Sequence, residues 1–179
     1  MGRPFFILAI MAVFLVGAGC ADSKASLQSS PSSAQTYENV DYGFVFDFSK
    51  GMEMKPRPQE QQATLFYGLP ANFFASLRDL NRPDEKEIVS IAYFYVMENV
   101  SLDQFTSALT ASDPQNVRVL ETTDLSSGGL NMKKIVSTTA SGINKTNYLF
   151  WRETNAIVVS VMLEEEPVFD PILQTFRIK

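Results

Sequence analysis

Histidine is absent from this 179-residue sequence, and cysteine occurs once, at Cys20. Histidine is the commonest general acid and base near neutral pH, and it shares with cysteine the role of usual zinc ligand. The sequence therefore excludes a Ser-His-Asp triad, a Cys-His catalytic pair and a typical structural zinc site. A single cysteine also excludes an internal disulfide, so the fold must depend on its hydrophobic core.

Positive charge is also scarce. Lysine and arginine number 15 against 20 aspartates and glutamates, which gives a formal net charge of −5, and the basic residues form no cluster. Nucleic-acid binding requires a concentrated basic surface, so we expect no nucleic-acid partner. The hydrophobic share of 45% and the charged share of 20% are those of an ordinary globular domain, and the length favours one such domain.

No apolar run is long enough to cross a bilayer, which takes about 20 residues. The longest covers residues 4–16; Arg3 precedes it, and Gly17, Ala18 and Gly19 lead from it directly to Cys20. A short basic start, a core of this length and small residues at its end are typical of a secretory signal. Ordinary secretion and an uncleaved anchor are the alternatives to the interpretation that follows.

Residues 1–19 followed by Cys20 resemble a bacterial lipoprotein signal peptide. The resemblance implies that the chain is cleaved before Cys20 and that Cys20 carries diacylglycerol and a fatty acid such as palmitate. The residue after the cysteine is Ala21, and Asp22 comes one place later. In a bacterium with two membranes, this order implies the periplasmic face of the outer membrane.

Residues 20–36 predict a flexible tether. Of the sixteen residues from 21 to 36, six are serine and only Leu27 is large and apolar. Such a segment has too little apolar surface to offset the entropy lost on ordering. We therefore expect a membrane-anchored chain whose globular domain covers residues 37–179.

Hydrophobic periodicity within residues 37–179 predicts several strands and two helices. Alternation, or an apolar run bounded by turn residues, predicts strands over residues 42–48, 63–69, 88–97, 117–125, 130–139, 146–153 and 156–163. Ser101 and Gln104 form a capping box, which predicts a helix start, and a second helix is expected over residues 168–175. Residues 72–80 fit either a strand or a helix. The expected fold class is α+β, with one antiparallel sheet of six to seven strands and helices packed on its faces.

Three segments of the domain resemble the PsbP family, the extrinsic photosystem II proteins and their bacterial lipoprotein relatives. They are YGFVFDFSKG at 42–51, VSLDQF at 100–105 and PVFDPILQTFRIK at 167–179. The resemblance implies a PsbP-like fold and a non-catalytic module that binds a protein partner at a membrane.

No segment carries a recognisable catalytic motif, and we expect no enzyme, no cofactor and no metal ion. Phe73 and Phe74, which follow a Gly-Leu-Pro turn, are the candidates for an exposed partner-binding patch, although core positions would also explain them. The expected function is a lipid-anchored accessory module that binds an envelope protein. The alternatives are a carrier of small apolar ligands, lined by some of the 14 phenylalanines and 6 tyrosines, and a carboxylate-dependent hydrolase.

Overall fold

The computed structural model describes residues 34–83, 88–111, 117–139 and 141–179. Cys20, the signal sequence and most of the predicted tether lie outside this part of the chain. Within it, neither helix has the length and apolar character needed to cross a membrane.

An eight-stranded antiparallel sheet forms the centre of the domain. Its strands are β3 (Met52–Pro56), β4 (Ala63–Phe66), β5 (Leu69–Pro83), β6 (Ile88–Glu98), β7 (Val117–Ser127), β8 (Leu130–Thr139), β9 (Asn144–Arg152) and β10 (Asn155–Met162). Their order is β3-β5-β6-β10-β9-β8-β7, and β4 pairs with the remainder of the long strand β5. The strands from β7 to β10 are consecutive neighbours, as their short connections predict.

A second sheet of three strands covers part of one face of the large sheet. Its strands are β1 (Ala34–Asn39), β2 (Phe44–Ser49) and β11 (Arg177–Ile178), with β2 in the middle. β1 begins inside the segment that the sequence assigns to the tether, and Ala34 pairs with Ser49 in register.

Two α-helices complete the described domain, α1 (Leu102–Ala111) and α2 (Glu166–Leu173). The predicted capping box is present at the start of α1. The Ser101 backbone N–H donates to Gln104 Oε1 at 2.8 Å, and the Gln104 N–H donates to Ser101 Oγ at 3.2 Å. These bonds satisfy two donors that a helix start leaves unpaired.

The two faces of the large sheet bury two separate hydrophobic clusters. In β10, Ile157 and Val159 face the cluster beneath the small sheet and α2, whereas Ala156 and Val158 face the cluster beneath α1. This alternation follows from the period of two in a strand. The first cluster is rich in phenylalanine, with Phe46 and Phe176 stacked at 4.5 Å between ring centroids. We call the two sides of the large sheet the α1 face and the α2 face.

The predicted α+β class is wrong, because the domain is predominantly β. The described residues form eleven strands but only two short helices, and the large sheet alone has eight strands. The ambiguous segment 72–80 belongs to the 15-residue strand β5. Register shifts between Phe73 and Ala75 and between Leu77 and Arg78 interrupt its alternation, so that four consecutive residues, 74–77, are buried.

Candidate functional site

Three aromatic side chains form a partly exposed surface on the α1 face, which we call the aromatic strip: Phe73, Tyr93 and Tyr95. The ring of Phe73 lies 5.9 Å from that of Tyr93 and 5.2 Å from that of Tyr95, measured between centroids. Tyr93 is 36% exposed, and the other two are half-buried. The strip occurs because β5 and β6 pair Phe73 directly with Tyr95.

Neighbouring groups hold the strip in place from two sides. Phe66, on β4, stacks on Tyr95 at 4.1 Å between centroids and connects the strip to the core beneath α1. The Arg57 guanidinium lies 4.9 Å above the centre of the Phe73 ring, at the distance of a cation–π contact. Burial, together with the nearby hydroxyls of Tyr93 and Tyr67, raises the pKa of Tyr95 to about 12, so this phenol stays neutral at physiological pH.

A row of polar residues crosses the sheet beside the strip. The strand register places Ser76, Tyr93, Ser160 and Asn147 side by side on β5, β6, β10 and β9. Ser160 is buried and Asn147 is fully buried. We call these four residues the polar row.

Asn147 has an unusual environment for a buried amide. Neither its Oδ1 nor its Nδ2 makes a hydrogen bond of good geometry, which ordinarily costs about 1–3 kcal/mol per group. Burial raises the pKa of the Tyr67 hydroxyl, and the closeness of Asn147 and Ser137 offsets this only partly. Tyr67 itself has a φ of +51°, an uncommon conformation for a bulky residue.

The structure separates the two predicted site residues. Phe73 belongs to the strip, but Phe74 is only 5% exposed and lies in the core, with its ring 6.0 Å from that of Phe94 and 5.4 Å from that of Tyr42. Phe74 therefore has no exposed side chain to offer a partner. Cys20, the predicted lipidation site, lies outside the described residues.

Sequence reasoning missed Arg57, Tyr93 and Tyr95. The apolar run over residues 88–97 predicts a strand but does not distinguish its two faces. Its two tyrosines alternate with Phe94, which is fully buried on the α2 face. Tyrosine often combines a buried ring with a solvent-exposed hydroxyl. The alternation of tyrosine with phenylalanine therefore indicates one partly exposed face and one buried face.

A second polar cluster lies on the α2 face, where α2 crosses β8 and β9. Lys134 Nζ lies 2.9 Å from Glu166 Oε1, and the Tyr148 hydroxyl donates to the same oxygen at 3.0 Å and to Asp170 Oδ1 at 3.4 Å. Lys134 and Tyr148 are directly opposite in the β8–β9 register, which explains why both reach the helix. The sequence analysis identified neither residue.

The cluster shifts the pKa of Tyr148 upward and the pKa of Glu166 downward. Burial, reinforced by the carboxylates of Glu166 and Asp170, raises the pKa of Tyr148 far above its ordinary range. Burial also acts to raise the pKa of Glu166, but the surrounding donors, which include Lys134 and Tyr148, outweigh it, and the net shift is downward. A neutral tyrosine and a paired glutamate stabilise the docking of α2 but are poorly suited to exchange protons near pH 7.

The described surface also contains open clefts. One of about 480 Å³ lies beside the second cluster and is lined by Leu125, Lys134, Tyr148, Asp170 and Gln174 among others. Another of about 480 Å³ lies next to Trp151 and Val100, where the indole N–H donates to the Val100 carbonyl at 2.8 Å. In the described part of the chain, no group of three or more carboxylates could hold a metal ion.

Comparison with known proteins gives a likeness in structure alone. No family model matches the chain, and no curated protein matches its sequence. The solution structure of cyanobacterial PsbP (CyanoP) from Synechocystis sp. PCC 6803 superposes with a TM-score of 0.54 at 10% sequence identity. The match covers 82% of this chain and 93% of CyanoP. The fold is PsbP-like.

The PsbP-like fold predicted from three sequence segments is thus confirmed, while identity at this level shows the fold alone. Protein PA94 from Pseudomonas aeruginosa also aligns, at 10% identity over 78% of this chain and 90% of that one. Its TM-score is 0.33, which is too low to support any argument.

Proposed function

We propose that this protein is a lipid-anchored accessory module of the cell envelope that binds a protein partner through the aromatic strip and catalyses no reaction. The observation that carries the proposal is the contact of Phe73, Tyr93 and Tyr95 on a sheet face where all three side chains remain partly exposed.

Aromatic residues are enriched at protein interfaces because they bury a large rigid surface at a low cost in side-chain entropy. Tyrosine and arginine are also frequent among the residues that dominate binding energy. Arg57 and Tyr93 therefore suit the centre of an interface. Since Phe66 already holds Tyr95 by stacking, little further ordering is needed on binding.

The lipid anchor is supported by the signal sequence, the position of Cys20 and the serine-rich segment that follows it. In a bacterium with two membranes, the proposed location is the periplasmic face of the outer membrane. The PsbP-like fold is compatible with an accessory role, as the family resemblance implies.

A change at Cys20 tests the anchor. A Cys20→Ser variant, expressed in the host, is expected to lose incorporation of labelled palmitate and to leave the detergent-soluble membrane fraction. A variant that remains processed and membrane-bound as before would show that Cys20 is not the anchor.

A photo-crosslinking amino acid tests the strip. With benzoylphenylalanine in place of Tyr93, irradiation of intact cells is expected to produce one dominant protein adduct. The same amino acid in place of Ile178, which is 48% exposed on the small sheet, is the matched control and is expected to give no such adduct. Equal capture at both positions, or none at Tyr93, contradicts the proposed function.

Ligand carriage and catalysis have less support. The space between the two sheets is filled by phenylalanine rings, with Phe44 and Phe46 both at most 1% exposed and stacked against Phe176. Glu166 and Asp170 both accept from the Tyr148 hydroxyl beside the cleft that Tyr148 and Asp170 line, but the pKa of Glu166 is lowered, which makes it a poor general acid near neutral pH.

A further inference from the structure

The cations around the aromatic strip have no carboxylate partner among the described residues, whereas five of the eight other described cations have one. Arg82, Lys133, Lys134, Arg177 and Lys179 each form an ion pair within the described residues. Around the strip, the described part of the chain gives no ion-pair partner to four cations: Lys55, Arg57, Arg78 and Lys145.

The strand register places three of these cations on the α1 face. Lys55 is directly opposite Ser76, which is itself opposite Tyr93 in the polar row. Lys145 is opposite Ser137 and Met162, in the next row of the same face. Arg78 is opposite Glu53, yet the two make no ion pair. Arg57 approaches from the segment after β3 and lies over Phe73.

Arg78 adds an observation that is independent of charge. Its Nε is buried and has no hydrogen-bond partner in the described structure. A buried donor without an acceptor carries a cost that an incoming carboxylate or carbonyl would remove.

We propose that this face binds an acidic, extended segment of the protein partner, with the aromatic strip receiving its apolar side chains and the four cations receiving its carboxylates. This inference rests on the proposed function and specifies the chemistry of the partner. Complementary charge of this kind mainly increases the rate of association and the specificity for the partner.

The spacing of the cations sets the size of the segment. Lys55 on β3 and Lys145 on β9 are separated by four strand spacings in the sheet order, or about 19 Å. An extended chain rises about 3.3 Å per residue, so about six residues laid across the strands would connect the two lysines.

The whole-chain charge favours a protein segment over a membrane as the occupant. With a formal net charge of −5, the chain as a whole is repelled by an anionic lipid surface. A local group of four unpaired cations is sufficient for a short acidic peptide, because screening at physiological salt limits charge interactions to about 8 Å.

Two matched double variants, made in the full-length chain with benzoylphenylalanine at Tyr93, test the inference. Lys55→Gln with Lys145→Gln removes two cations of this face, whereas Lys50→Gln with Arg118→Gln removes two exposed cations that also lack ion pairs and do not lie on it. Host membranes are irradiated at about 50 mM and about 300 mM salt, a range over which screening increases strongly. The crosslinked peptide is then identified by mass spectrometry.

The expected result is an adduct to a peptide with at least two more acids than bases within about six residues, a length set by the strand spacing. Its yield should fall about fivefold or more in the Lys55/Lys145 variant and at high salt, and less than twofold in the Lys50/Arg118 variant. Circular dichroism of both variants controls for folding.

Three outcomes overturn the inference. A protein adduct that is insensitive to both salt and the Lys55/Lys145 change refutes the acidic segment but leaves the proposed function standing. A phospholipid adduct in place of a protein adduct identifies the membrane surface as the occupant. The absence of any adduct refutes the proposed function and the inference together.

Discussion

Glu166 accepts hydrogen bonds from Lys134 and Tyr148 at the start of α2, and its pKa in the folded chain lies below the ordinary value of 4.5. A carboxyl group whose pKa is lowered on folding stabilises the fold when it is ionised. This contribution is fully present above the unfolded pKa, near 4.5, and is lost as the pH falls through the lower folded value.

The pH dependence of a Glu166→Gln variant follows from this sign. At pH 7 the variant is expected to be less stable than the parent, and the difference should shrink steadily as the pH falls below about 4.5. Urea unfolding at pH 7, 5, 4 and 3 measures it. Glu164→Gln, an exposed neighbour, is the control and should show little difference at any pH. A Glu166→Gln difference that is constant across this range would show that the carboxylate has no special role.

At this scale the sequence shows which candidate residues are available, but it does not show which of them are exposed or which of them are in contact. Phe73 and Phe74 are neighbours, and only the strand's alternation determines which one is exposed. Because of the register shift after Phe73, the consecutive residues Phe74 and Ala75 are both buried. No local sequence pattern predicts such a shift. The ion pair of Lys134 with Glu166 is equally hidden, because 32 residues separate its partners in sequence.

At the scale of elements, the β7–β8 turn contains two glycines with positive φ, +58° at Gly128 and +81° at Gly129. Their surroundings differ. A Cβ on Gly128 would overlap the carbonyl oxygen of Phe176, which is backbone and cannot rotate away, whereas a Cβ on Gly129 would meet open space.

Alanine at these two positions should therefore have unequal effects. Gly129→Ala should lower the free energy of unfolding only by the cost of a left-handed alanine, about 1–2 kcal/mol. This corresponds to a few degrees in melting temperature for a domain of this size. Gly128→Ala has the same conformational cost and also displaces the chain that leads into β11, so its loss should be at least twice as large. Thermal denaturation of both variants measures this, and equal losses would mean that the contact with Phe176 does not constrain the turn.

Elements with a local signal were predicted well. The capping box located α1, and glycine-containing or very short connections separated the strands from β7 to β10. β1 was not predicted, because Ala34, Gln35 and Thr36 are small or polar and exposed. Their order comes from backbone pairing with β2, a long-range interaction that composition does not reveal.

At the scale of the whole molecule, the phenylalanine-rich core explains both the success and the error of the fold prediction. The aromatic alternation of β2 predicted a strand with one buried face, and the PsbP-like fold contains it. The assignment to α+β was wrong although both predicted helices are present, because it placed all strands in one sheet and expected helices to cover its faces. The small sheet instead covers part of the α2 face beside α2 itself, so strands provide much of the cover expected from helices.

Removal of β1 measures how far the ordered domain extends toward the N-terminus. A chain that begins at Ala34 is expected to melt within about 3 °C of one that begins at Ala21. A chain that begins at Asp41 loses the backbone pairing of β1 and the ring of Tyr37, which lies 5.3 Å from Phe46, and should melt at least about 10 °C lower. Scanning calorimetry compares the three. Near-identical melting of all three would mean that β1 adds nothing to stability.

The pairing of Ala34 with Ser49 also has a mechanical consequence. β1 and β2 are antiparallel, so the chain enters the small sheet at the open end of a hairpin. Suppose that tension is applied through the preceding residues while a partner holds the large sheet. The pairing of Ala34 with Ser49 would then break first, and the pairing of Asn39 with Phe44 would break last. Hydrogen bonds broken in sequence resist far less force than bonds that share a load. β1 can therefore detach at low force and lengthen the chain ahead of the core by about 20 Å before the core is strained.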